Sequence, residues 1–216
     1  MNAVQLPNFL GVADVGTTEI KTSLRSQLRS STSGIHERLD RSVSGADLLH
    51  PVGYTRFLTC QLTARDAIED WADLHCPALL RPPSTSELLR KDIADLARDL
   101  GDDASSEALG GYSTPFALPA QSDPIGLAWA IAGSHMGNKA MLARLRKAEV
   151  SHGRPPMPCR FLADARMTGF WRALLPRLEE PCSAAQAEPA VRAAHAVFAR
   201  FEEAFDSGPA RCKQAA

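Results

Sequence analysis

The sequence predicts an all-α domain, and three observations carry that prediction. Apolar residues recur three and four positions apart in six segments. No run of five or six residues alternates apolar with polar side chains and is enriched in β-branched residues, so no sheet is expected. Breaks containing Gly, Pro and Ser separate the periodic segments, and no internal repeat is present.

Residues 1–21 mix Gly, Pro, Thr and Asn without periodicity and are expected to form a flexible N-terminal arm. Leu24, Leu28, Ile35 and Leu39 then define an amphipathic helix over about residues 22–41, with Ser and Thr at its start as caps. Pro51 fits the first turn of a second helix, which runs through Tyr54, Phe57, Leu58, Leu62, Ile68 and Trp71 to about Leu74. Pro77 and Pro82-Pro83 close it. Leu88, Leu89, Ile93, Leu96 and Leu100 mark a third helix over residues 86–100, stopping at Gly101. The stretch 101–124 lacks periodicity and has room for one short helical turn. A fourth helix over about 125–149, a fifth over 160–178 and a sixth over 189–206 complete the domain, 22–206, leaving 207–216 as a C-terminal tail.

Composition narrows the function classes. The 216 residues carry 24 Lys and Arg against 25 Asp and Glu, a balance that leaves no electrostatic footprint for nucleic acid. The five cysteines contain no C-x-x-C pair, which argues against a zinc ribbon or a dithiol redox motif. No stretch approaches the roughly 18 apolar residues of a membrane span. The start lacks the apolar run of a secretory signal, so a cytoplasmic protein is expected. Six histidines remain as raw material for a metal site.

Two helices hold the candidate chemistry. In the fourth, Gly126, Ala130, Gly133, Gly137 and Ala140 follow one another at steps of four, three, four and three, making one face nearly bare backbone. Each glycine costs about 1 kcal/mol of helix propensity, so the face needs a compensating partner. Either another helix packs closely on it, or a flat ligand lies directly on the backbone. His135 sits about 200° around the helix from Gly133 and Gly137 and should face the other way. In the first helix Arg29, Thr32, His36 and Asp40 form a polar stripe beside the apolar one. It is either a solvated face or a binding face. A neutral imidazole is a good iron ligand, and an arginine two turns away, about 10 Å along the axis, can reach an anionic group at the edge of a bound ring.

The run 28–40, Leu-Arg-Ser-Ser-Thr-Ser-Gly-Ile-His-Glu-Arg-Leu-Asp, resembles the proximal helix of haem oxygenases, particularly the bacterial, bacteriophytochrome-associated type. The segment 133–138, Gly-Ser-His-Met-Gly-Asn, resembles their glycine-rich distal helix. Tyr54 with Phe57-Leu58, and the spacing of Phe198, Phe201 and Phe205, extend the resemblance over about 24–206. It implies a helical fold holding haem between the first and fourth helices, with His36 as axial iron ligand. Gly133, Ser134, Gly137 and Asn138 would then lie on the distal side, and Arg29, Thr32 and Arg172 would contact the haem or its propionates. The activity implied is oxidative cleavage of haem to biliverdin, CO and iron. Haem is both cofactor and substrate there, with O2 and electrons from a ferredoxin or an NAD(P)H-dependent reductase, and a bilin-accepting photoreceptor as a further partner.

The sequence departs from the family pattern at four positions. Asn138 stands where a second glycine is usual, and Ser134 where many members have an aspartate; Ala128 replaces a tyrosine and Ser33 a lysine. Two alternatives therefore stand beside the enzyme: a haem-binding or regulatory protein on the same fold without turnover, and a helical interaction protein whose small-residue face packs only on protein. The remaining histidines are read as exposed (His50, His152), without a second metal-ligand pair (His75) or as boundary packing (His195).

Overall fold

A computed structural model describes residues 21–44, 47–100, 114–153 and 155–207. The expected arm and tail, the possible turn after Gly101 and the side chain of His152 therefore lie outside the described residues, apart from Lys21 and Ser207 at their edges. The described chain is predominantly helical. It contains α1 (Leu24–Ser44), α2 (Pro51–His75), a 3-10 turn (Ala78–Leu80), α3 (Ser86–Leu100), α4 (Pro124–His152), α5 (Arg160–Ala163), α6 (Arg166–Leu178) and α7 (Ala184–Ser207).

Three expectations need correction. The predicted fifth helix is two, because the Asp164 carboxylate accepts the Arg166 N–H (3.1 Å) and caps a new start where neither Gly nor Pro signals one. The last helix begins at Ala184, five residues before Pro189. There Ser183 Oγ accepts the Gln186 N–H (3.3 Å) while Gln186 Oε1 accepts the Ser183 N–H (2.9 Å), a reciprocal box that tolerates proline in the second turn. A two-residue antiparallel pair also exists, β1 (Thr22–Ser23) with β2 (Pro181–Cys182). It is too short to leave an alternating pattern, and it ties the start of α1 to the chain entering α7.

Other boundaries follow their local chemistry. Ser23 Oγ accepts the Ser26 N–H at the head of α1. His50 and Asp123 each accept the N–H two residues on, with proline as the first helical residue of α2 and α4. Gly153, at φ 59°, ends α4 in the left-handed conformation.

Two apolar clusters fill the interior. One joins Leu28 and Ile35 of α1, Ile68 of α2, Leu127 and Ile131 of α4, Leu174 and Leu178 of α6, and Ala194 and Val197 of α7. The other packs Tyr54 and Leu58 of α2 against Leu89, Ile93 and Leu96 of α3, Leu145 of α4, and Phe161 and Leu162 of α5. Both α1 and α4 make their most extensive packing against α7, and Gly126 is a point of close approach between α4 and α7. A Cβ there would collide with the Ala190 carbonyl oxygen.

Two buried carboxylates fasten neighbouring segments. Asp92 of α3 accepts the N–H groups of Arg160 (3.2 Å) and Phe161 (2.9 Å). Glu69 of α2 accepts from the Ser84 and Thr85 hydroxyls and from the Thr85 and Ser86 N–H groups, at 2.7–3.1 Å, and so pins the start of α3. Burial alone would raise the pKa of Glu69, but these hydrogen bonds outweigh it and hold the carboxyl below its ordinary value. A depressed folded-state pKa stabilises the protein above the unfolded value, near about 4.3 for Glu, and that contribution disappears as pH falls through the folded value. Glu69→Gln should lose about 1–3 kcal/mol at pH 7, because an amide nitrogen replaces one acceptor, and it should flatten the acid limb of stability. Urea unfolding at pH 7 and pH 3 checks both effects.

Candidate functional site

A groove of about 460 Å³ separates α1 from α4. The α1 wall presents Arg25, Arg29, Thr32, Ser33, His36 and Glu37, and the α4 wall presents Trp129, Ala130, Gly133, Ser134 and Met136. Trp171 of α6 and Phe198 of α7 complete the lining. The polar stripe of the first helix and the small-residue face of the fourth thus face a common space.

His36 is exposed, and its Nδ1 lies 3.0 Å from Asp40 Oδ2. In the neutral ring an Nδ1–H donated to this carboxylate leaves Nε2 with the lone pair, the arrangement by which metal-binding histidines are oriented. Phe198 meets the His36 ring edge-on at 6.0 Å and the Trp129 ring at 6.2 Å. Arg29 makes no ion pair among the described residues. Arg25, one turn earlier, pairs with Glu179 (3.0 Å) and lies over the Trp171 ring at 5.6 Å. The groove therefore has two guanidinium groups towards the N-terminal end of α1 and an imidazole two turns further along.

The small-residue face is divided between the two uses open to it. Gly126 packs against α7, whereas a Cβ at Gly133 or Gly137 would meet nothing within 4 Å. Only Gly133 lines the groove itself; Gly137 is exposed just beyond Met136. Ser134 Oγ is engaged, donating to the Ile131 carbonyl (2.8 Å) and accepting from Arg65 Nη2 (2.7 Å). Thr32 contributes its surface but not a free hydroxyl, because Oγ1 donates to the Leu28 carbonyl (2.8 Å).

Besides Gly137, two expected site residues lie elsewhere. Arg172 is exposed on α6 and does not line the groove, where its neighbour Trp171 stands instead. Asn138 is buried, three residues from His135 and on the same side of α4, away from Gly133. His135 does face away from the glycines, as its spacing requires: it is 5% exposed, with Nε2 3.5 Å from Thr168 Oγ1 of α6. Burial pushes its pKa down, and Lys139 adds to that effect. His195 is exposed rather than packed at a boundary, and His75 stacks on Trp71 with Nδ1 2.9 Å from the Trp71 carbonyl oxygen. Among the described residues no group of three or more His, Cys, Asp and Glu side chains could hold a metal ion. No described helix is long and apolar enough to cross a membrane.

Sequence reasoning missed Arg25 and Arg65. Arg25 was signalled by its four-residue step from Arg29, which extends the polar stripe by one turn. Arg65 was signalled by its place midway between Leu62 and Ile68, on the apolar face of α2. Comparison with protein-family models and with curated proteins finds no match to this chain.

Proposed function

We propose that the groove binds haem and that the protein is a haem oxygenase, cleaving haem to biliverdin, CO and iron with O2 and electrons from a ferredoxin or reductase. The observation that carries this reading is the pairing of the groove's walls: an oriented imidazole on α1 opposite bare backbone at Gly133 on α4, with two arginines at one end. The space a Cβ would fill at Gly133 suits a flat ring, and an Nε2 lone pair suits iron.

His36 would hold the iron, with Asp40 keeping its ring in the ligating tautomer. Arg29 and Arg25 would receive the propionates through charge-assisted hydrogen bonds, taking the place expected for Arg172. Trp129, Trp171 and Phe198 supply apolar walls that exclude water from the ring. Haem, when bound, supplies the O2-binding centre and is itself the molecule oxidised. The protein's task is then positioning and proton delivery, and Ser134 is the α4 hydroxyl at the wall where that occurs. The resemblance in residues 28–40 and 133–138 supports a cytoplasmic enzyme of this kind, with a bilin-accepting photoreceptor as a partner for its product.

The test is a hemin titration followed by a reductant under air. A Soret band that appears with one equivalent and gives way to a bilin spectrum is the expected result. A Soret band that persists under reductant would instead indicate a haem-binding protein without turnover, and no stoichiometric uptake would overturn the haem reading altogether.

A further inference from the structure

Arg65 of α2 is 1% exposed, and its guanidinium lies 5.1 Å from the Phe161 ring centroid and 5.7 Å from that of Phe201. Its hydrogen-bond partners are neutral. Nε donates to Gln61 Oε1 (3.1 Å) and Nη2 to Ser134 Oγ (2.7 Å), while buried Nη1 has no partner. Glu69, one turn further along α2, has its oxygens engaged by Ser84, Thr85 and Ser86. Burial lowers the arginine's pKa to about 10, with Glu69 acting in the opposite direction, so the side chain stays charged at neutral pH.

Glu69 offsets part of the cost of burying this cation, but its hydrogen bonds go to an amide and a hydroxyl and Nη1 has none, so a further oxygen or anion in its field is favourable. The hydrogen-bond partner that connects it to the groove is Ser134, which lines that space beside Gly133. Accepting a charge-assisted hydrogen bond polarises the serine O–H and makes it a stronger donor. In the described arrangement that donor is turned to the Ile131 carbonyl. Rotation about one bond swings it towards the groove while Arg65 continues to hold the oxygen.

We propose that Arg65 is a positioning residue for the α4 wall of the groove, acting through Ser134 Oγ to favour an anionic or oxygen ligand on that face of bound haem. The inference rests on the haem reading and adds to it a buried charge on a helix that contributes no wall. The serine departure from aspartate thereby has a counterpart: a hydroxyl backed by a cation donates where a carboxylate would accept.

Fluoride, a small anion whose affinity for ferric haem responds to nearby donors, is the probe. The full chain is loaded with hemin, and fluoride is titrated by absorption in the wild type, Arg65→Met, Ser134→Ala, Ser134→Thr and the Arg65→Met/Ser134→Ala pair. Arg65→Met and Ser134→Ala should each weaken fluoride binding about tenfold. The double variant should be no weaker than either single change, because the two groups act as one unit, and Ser134→Thr should restore affinity. A purely structural Arg65 would lower the melting temperature of Arg65→Met but leave Ser134→Ala with wild-type fluoride affinity. That result, or additive losses, overturns the inference while haem binding stands. Failure of the wild type to take up hemin overturns both. If Arg65→Met does not fold, the contrast between Ser134→Ala and Ser134→Thr decides the matter.

Discussion

Replacing His36 by alanine is expected to weaken haem binding at least 100-fold, because outer-shell partners of a ligating histidine are already worth about 10–100-fold and the ligand itself more. The side chain is exposed and, among the described residues, makes its polar contact with Asp40, so the fold should survive; melting temperature should change little. Added imidazole should restore the Soret band by occupying the vacated volume. Asp40→Asn should keep the band but weaken binding about tenfold, since a neutral amide holds the ring less firmly. Hemin titrations of the three proteins decide this, and wild-type affinity in His36→Ala would move the haem site away from α1.

The second large effect contrasts two glycines seven residues apart on one helix face. Gly126→Ala should destabilise the protein by about 2 kcal/mol or more, because its Cβ would collide with the Ala190 carbonyl oxygen and backbone cannot yield as a side chain can. Gly133→Ala should stabilise it by about 0.5–1 kcal/mol, because the new methyl meets nothing and helix propensity improves. The same change places a methyl in the groove and should weaken hemin binding, and Gly133→Leu should abolish it. Chemical denaturation of both alanine variants reads the first contrast. Equal stabilities would show that α4 does not rest on α7 at Gly126.

That contrast also marks where sequence reasoning stopped. The spacing of Gly126, Ala130, Gly133, Gly137 and Ala140 puts them on one face, but spacing says nothing about what lies opposite each turn. Gly126 faces α7, Ala130 and Gly133 face the groove, and Gly137 lies beyond it, a division set by where the helices cross. Helix starts marked by a capping side chain and proline, as at His50-Pro51 and Asp123-Pro124, were readable to within a residue or two. The interruption at Asp164 was not, because it depends on a side chain bonding its own backbone in a run that keeps helical composition. The site was half legible: His36, Arg29 and Gly133 line one groove, a facing of the two helices that the family resemblance implied and neither stripe alone required, while Arg172 misses it by one residue. A step of one turns a side chain about 100° around a helix, and the restart at Arg166 brings Trp171 into line. In the sequence Arg65 is only a charge on an apolar stripe, because its partner Ser134 lies 69 residues away on another helix.

Phe198 touches both walls through its ring contacts with His36 and Trp129, yet it belongs to α7, on which α1 and α4 each lean. It serves as a calliper: a ring carried by a third helix meets the imidazole of one wall and the indole of the other, so its size bears on the clearance between them. Changing the thickness of molecule the groove accepts therefore calls for altering α7, where the size of the side chain at Phe198 can be tuned while His36, Arg29 and Gly133 are kept.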